Sequence, residues 1–194
     1  MSVVMAVKQG GRIWFGADTQ STRGTERFNL LCPNDFKVVK LGNGMLISWT
    51  GEGATGQVVC SHLEHYLTVE NEELTKEYLV TQIVPRLYQM LDSEGLLENE
   101  EDRSPQMPGR VLLAQKDKMY DIQRDFQVAR YEDYQATGSG ANSIIYGLSK
   151  IDKSKNINRQ LLRLLRISAK HDSNVSAPFV LIDTKELEYT IQED

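Results

Sequence analysis

The chain has 194 residues, a length that suits one domain. Apolar residues make up 40% and charged residues 25%, a globular composition that argues against a mainly disordered chain. Acidic residues number 27 against 22 basic ones, so the net charge is -5; a protein built to grip nucleic acid or an anionic membrane through a polybasic face is not expected.

In chain order, Val3, Val4, Ala6 and Val7 read as strand, Gln9-Gly10-Gly11 as a turn, and residues 13–18 as the returning strand of a hairpin. Residues 19–34 are polar, hold Gly24 and Pro33, and read as a loop. Residues 36–41 are strand-like, Gly42-Asn43-Gly44 is a tight turn, and residues 45–50 return as a strand. The period then changes. Val58, Val59, His62, Leu63, Tyr66 and Leu67 recur at helical spacing, as do Leu79, Val80, Ile83, Val84, Leu87, Tyr88 and Leu91, which gives helices around 53–69 and 75–91. Pro85 predicts a kink or a break in the second. Residues 92–108 are acidic, include Pro105 and Pro108, and read as a mobile loop.

Strands follow at 110–114, 119–122 and 126–129. Thr137-Gly138-Ser139-Gly140 is a small-residue turn before a helix over 142–149, and a helix over 161–169 carries a broad apolar face. Residues 179–182 and 187–191 form a last hairpin around Asp183-Thr184-Lys185. Strand–helix alternation is absent, so a parallel sheet is not expected. The expected fold is α+β, a four-layer αββα sandwich of two antiparallel sheets between helix pairs, as a single domain over 1–194. Burial of both sheet faces accounts for the nearly continuous apolar runs at 13–17 and 112–113.

Cys32 and Cys60 make no disulfide framework and fit a reducing compartment. No apolar run approaches the ~18–20 residues of a membrane span, and the N-terminal stretch lacks the charged and long apolar regions of a signal peptide. The expected location is cytoplasmic, with no membrane partner. His62 and His65 stand at helical spacing without a Cys or carboxylate to complete a metal site.

Chemistry concentrates at the start of the chain. Ser2 follows Met1, and a small second residue permits removal of the initiator methionine. Ser2 would then carry a hydroxyl beside a free α-amine, whose pKa of about 7.7–8.0 suits it to accept the hydroxyl proton near neutrality. A cation is needed to favour the alkoxide, with a carboxylate to hold that cation. Asp18 at the end of the second strand and Lys37 at the start of the third are the candidates; Ser139 and Asp172 stand near later turns. Each residue alone also has a structural reading: a common second residue, a turn carboxylate, a strand-edge lysine, a helix-entry serine, a turn cap.

Four segments in order carry a resemblance: Ser2-Val3-Val4 leading to Gly16-Ala17-Asp18-Thr19; Lys37-Val38-Val39-Lys40-Leu41 before a glycine turn; Ala136-Thr137-Gly138-Ser139-Gly140-Ala141; and Ala169-Lys170-His171-Asp172-Ser173. Over nearly its whole length the chain resembles β-type subunits of the proteasome core and the related HslV peptidase, members of the N-terminal nucleophile (Ntn) hydrolases. The resemblance implies Ser2 where the family has its threonine nucleophile, Lys37 lowering that nucleophile's pKa, and Asp18 pairing with Lys37. It implies Ser139 and Asp172 around the terminal amine, and Thr22 pairing with the substrate backbone. Trp49 falls at or beside the glycine whose N–H serves the oxyanion, where its indole would fill the substrate side-chain pocket. Val175 stands where the family has a further serine, with Ser176 following. No cofactor or metal is implied. The implied partners are a polypeptide substrate, further copies in stacked rings that meet through the helices around 53–69 and 75–91, and an ATPase or other unfoldase.

The expected function is peptide-bond cleavage by Ser2 after loss of Met1. An alternative is a catalytically inactive ring subunit or scaffold that keeps Met1. A third reading is a small-molecule amidase of the same chemistry, acting as a lone particle.

Overall fold

The computed structural model describes residues 2–69, 73–99 and 104–193. The state of Met1, on which the expected chemistry turns, lies outside the described residues. In chain order the elements are β1 (Val4–Gln9), β2 (Arg12–Asp18), β3 (Gln20–Arg23), β4 (Glu26–Asn29), β5 (Val38–Lys40), β6 (Leu46–Gly51), α1 (Gly53–Val69), α2 (Lys76–Tyr78) and α3 (Val84–Ser93). Then come β7 (Gly109–Gln115), β8 (Lys118–Ile122), β9 (Val128–Tyr131), β10 (Tyr134–Thr137), α4 (Ile145–Leu148), α5 (Ile157–His171), β11 (Phe179–Asp183) and β12 (Thr190–Gln192).

The strands form two antiparallel five-stranded sheets, ordered β10-β1-β2-β11-β12 and β5-β6-β7-β8-β9, with β3-β4 as a separate ribbon. Gly10 and Gly11 both take positive φ, 63° and 70°, which closes the two-residue turn between β1 and β2 and sets Val4 opposite Ala17.

Three apolar cores stack the layers. Val4, Ala6, Phe15, Leu46, Leu112 and Met119 pack between the sheets. Trp49, Val59, Leu63, Leu87, Val111 and Leu113 join the second sheet to α1 and α3. Met5, Ile144, Leu148, Leu161, Leu165 and Leu181 join the first sheet to α4 and α5. The architecture is therefore αββα. β7 shows its logic: Leu112 and Ala114 face the other sheet while Val111 and Leu113 face helices, so the strand is apolar on both sides. No helix of the described residues is long and apolar enough to cross a membrane.

Several local expectations change. Residues 19–34 are not a plain loop: they hold the β3–β4 hairpin around Gly24 (φ 60°) and a 3-10 turn, Pro33–Asp35. The ribbon is largely exposed on both faces, so no apolar alternation marked it. Pro85 stands in the first turn of α3, at a boundary within the helical stretch, where its missing N–H is tolerated. A π-helical turn, Leu79–Ile83, sits between α2 and α3, and Val84 N–H donates five residues back to Leu79 O. A wider turn relieves the pressure of a proline ring on the carbonyl four residues back.

The acidic stretch at 92–108 begins as the end of α3 and is later pinned by paired backbone bonds between Glu98 and Gln106 (2.8 and 2.9 Å); residues 100–103 lie outside the described residues. The strand expected at 126–129 starts at Val128, because Phe126 is in the left-handed region (φ 66°). β10 was not expected. The helix expected over 142–149 is a 3-10 turn, Ser139–Ser143, followed by the short α4, and the last strand is confined to Thr190–Gln192.

Candidate active site

Ser2 lies at the entry to β1 and is 3% exposed. Its place is fixed by main chain on both flanks. On one side the hairpin register brings the end of β2 alongside: Val3 N–H donates to Asp18 Oδ1 (2.9 Å) and Asp18 N–H donates to Val3 O (3.3 Å). On the other side the turn after β10 closes in. Gly140 N–H donates to Ser2 O (3.2 Å), and Ser139 Oγ–H reaches the same oxygen at 3.5 Å. Gly138 has φ 93°, and a Cβ there would lie 2.2 Å from Ser2 O. Only glycine meets both the conformation and the approach.

Asp18 anchors the cation. Lys37 Nζ donates to Asp18 Oδ2 at 2.6 Å, and Gln20 N–H donates to the same oxygen at 3.1 Å. The two side chains are 11% and 0% exposed, so the pair is a buried one. Burial pushes Lys37 below the ordinary lysine range, opposed by Asp18 and Asp172. Burial likewise pushes Asp18 upward, opposed by Lys37 and by the Val3 and Gln20 N–H groups. Lys37 and Ser2 line the same cleft, and a lysine with a weakened hold on its proton is suited to tune a hydroxyl that comes within its reach.

Asp172 follows the C-terminus of α5. Asn174 donates to its Oδ1 through both backbone N–H and side-chain Nδ2, each at 2.9 Å. Burial alone would raise its pKa, but Ser139 and Asn174 outweigh that and hold it below the usual carboxylate value. Ser139 lies close enough to favour the charge, yet among the described residues no donor completes a hydrogen bond to the buried Oδ2.

Ser2, Thr22, Lys37 and Trp49 line one cleft of about 600 Å³, walled by β3–β4 on one side and by Gly53, Ala54 and Gln57 of α1 on the other. Thr22 is exposed and accepts from Gln20 Nε2 (3.2 Å). Trp49 meets the cleft with the edge of its side chain. Its N–H donates to Lys37 O (3.1 Å), so that donor is engaged. Its indole is 7% exposed, packs in the helix-side core and donates through Nε1 to Glu52 O (2.8 Å). The indole forms part of the cleft's wall instead of occupying its space. Val175 is buried in the core beneath α5, and Ser176 is half-buried.

The fold thus brings Ser2, Asp18, Lys37 and Ser139 together, sets Asp172 against Ser139, and places Thr22 and the edge of Trp49 around the cleft. Sequence reasoning passed over Gln20, whose backbone braces Asp18 and whose side chain also donates to Ser173 O (3.1 Å). A polar residue two places after a carboxylate was the available signal. It also passed over Ser168, fully buried, which donates to Gly140 O (3.1 Å) and steadies the turn beneath Ser2. No group of three or more His, Cys, Asp or Glu that could hold a metal ion occurs among the described residues.

No protein-family model matches the chain, and no curated protein matches it in sequence. Solved structures do match. BPH of Thiobacillus denitrificans aligns with a TM-score of 0.74 at 19% identity, over 96% of this chain and 98% of that one. The same protein in complex with epoxomicin aligns at 0.73 and 18%, over 96% and 99%. Eukaryotic HslV from Trypanosoma brucei aligns at 0.67 and 14%, over 93% and 98%. The chain has a proteasome/HslV-like fold.

Proposed function

We propose that the chain is an N-terminal nucleophile peptidase in which Ser2, exposed by removal of Met1, attacks the peptide carbonyl. The observation that carries this reading is the buried Lys37–Asp18 pair (2.6 Å), tied to the residue after Ser2 through Asp18 Oδ1 and opening on the cleft that Ser2 lines. The epoxomicin complex of the Thiobacillus protein supports a peptidase rather than an amidase.

The Ser2 Oγ–H gives its proton to the Ser2 α-amine as Oγ bonds the carbonyl carbon. The tetrahedral intermediate collapses, the C–N bond breaks, and the ammonium returns its proton to the leaving amine. Water then attacks the ester carbon and yields a proton to the same amine. The acid product leaves and Oγ–H is restored. Lys37 favours negative charge on Oγ, and Asp18 orients Lys37. The unpartnered Asp172 Oδ2, kept ionised, would accept from the freed amine, with Ser139 beside it. Thr22 would pair with the substrate backbone along the exposed edge of β3. Cytoplasmic rings enclosing such sites, fed by an unfoldase, complete the proposal.

A second reading, an inactive ring subunit that keeps Met1, is favoured by two observations. The Trp49 N–H is spent on Lys37 O, and Val175 puts an apolar side chain where the family carries a hydroxyl. Intact mass of protein from its native source separates the two. A mass lacking methionine, with peptide turnover abolished in Ser2→Ala and kept in Ser2→Thr, supports the peptidase. Methionine on essentially all chains, or turnover undiminished in Ser2→Ala, overturns it.

A further inference from the structure

Gln20 is 3% exposed and lines the cleft with Ser2, yet no step of the proposed reaction uses its side chain. Burying a side-chain amide is costly unless its donors find acceptors, so the bonds it makes show what holds it there. Its Nε2 lies 3.1 Å from Ser173 O and 3.2 Å from Thr22 Oγ1. A main-chain carbonyl can only accept, so Ser173 O fixes which end of the amide is nitrogen. The second Nε2 hydrogen goes to Thr22 Oγ1, which is therefore the acceptor of that pair. The direction matters: the Thr22 hydroxyl hydrogen is not consumed by Gln20 and can be given to an acceptor in the cleft.

The two groups that the amide joins belong to distant parts of the chain. Gln20 and Thr22 stand two residues apart on one face of β3, and β3 with β4 forms the exposed ribbon along the cleft. Ser173 follows Asp172, whose carboxylate is braced by Asn174. Thr19 adds a second hold on this segment: its N–H and its Oγ1 both donate to Pro178 O, at 3.2 and 2.9 Å. The Gln20 N–H completes the junction by donating to Asp18 Oδ2 (3.1 Å), the oxygen that Lys37 also holds. One residue therefore touches the carboxylate of the buried ion pair, the strand along the cleft and the loop that carries Asp172.

We infer that Gln20 is a positioning residue, a strut whose side-chain amide couples the β3–β4 ribbon to the Asp172 loop. Its bearing on catalysis rests on the peptidase reading above; the strut itself does not. Through it the place of the ribbon sets that of Ser173 O, and with it the carboxylate that would receive the freed Ser2 amine. The same amide presents Thr22 to substrate as a hydrogen-bond donor, suited to a carbonyl or another acceptor oxygen. Substrate binding along β3 and the hold on the amine are then parts of one adjustment.

Hydrogen–deuterium exchange of the full chain tests the strut without reference to turnover. Gln20→Met keeps the length of the side chain and removes both donors. Exchange in segments 21–24 and 173–176 should rise together, about three- to tenfold, as expected for losing hydrogen bonds of ordinary net strength, while the β1–β2 hairpin stays protected. A rise in one segment alone, in neither, or equally across the whole chain overturns the inference. Peptide turnover tests the direction of the Thr22 bond. Thr22→Val should lower kcat/KM about three- to tenfold beside the native Gln20. It should cost almost nothing beside Gln20→Glu, whose carboxylate draws the Thr22 hydroxyl hydrogen to itself. An equal cost in both backgrounds overturns the donor role. A wild type without turnover overturns the peptidase reading alone, and the exchange result still decides the strut.

Discussion

Asp18 accepts hydrogen bonds from three parts of the chain: Val3 at the start, Gln20 after β2, and Lys37 before β5. Asp18→Asn keeps the shape and removes the charge, leaving the Lys37 ammonium buried without its counter-ion. We expect a loss of about 3–5 kcal/mol in urea unfolding, the cost of breaking a buried pair on one side. Asp172 carries a pH signature. The fold holds its pKa below the ordinary 3.8, so the unfolded chain takes up the proton first on acidification. Its stabilising contribution is present above that ordinary value and is lost as pH falls through the native one. Asp172→Asn should flatten this part of the acid limb in an unfolding-versus-pH series. The two thiols should also part company. Cys60 is pushed up to about 12 by burial and by Glu64, whereas Cys32 is exposed. Iodoacetamide at pH 8 should label Cys32 alone in the native protein and both residues after denaturation.

Between α1 and β6 the contact is set by what glycine leaves out. A Cβ at Gly56 would lie 2.2 Å from Trp49 Cδ1, and one at Gly109 would lie 2.4 Å from Trp49 Cζ2, so the indole is held between helix and strand. Gly56→Ala should cost about 1–3 kcal/mol through overpacking. It should appear as a lower urea midpoint at unchanged slope. Elements with a buried apolar face were legible in the sequence for this reason: β1, β2, β6, β7 and α5 each meet a core, and the core imposes period and polarity. β3 and β4 meet none and gave no signal. β10 was hidden because it is only four residues long and runs directly into the small-residue turn at Gly138. Of the candidate site, Asp18 at the end of β2 and Ser139 in the turn after β10 stood out in the sequence as polar residues at the ends of elements. Gln20 and Ser168 act through backbone and buried hydroxyl contacts, which residue type alone does not announce.

Across the whole molecule, two sheets between two helical layers leave β7 with no solvent face. Leu112 points into the inter-sheet core and Leu113 into the helix-side core, and both are 0% exposed. Truncating either neighbour to Ala should cost about 2–5 kcal/mol, where a half-exposed sheet would feel only one. Denaturant midpoints of the two variants check this; a midpoint for either close to wild type would contradict the four-layer packing. The α+β class and the layer order followed from the segregation of hairpins and helices.

Ser2 is held by its carbonyl, and Val3 by its amide; neither anchor uses the Ser2 side chain. The position is a socket defined by main chain, and the group it presents is exchangeable. Ser2→Thr and Ser2→Cys should therefore leave the unfolding midpoint nearly where it is, while changing which atom faces the cleft. A lineage built on this socket could change its reagent, or retire it, without rebuilding the fold around it.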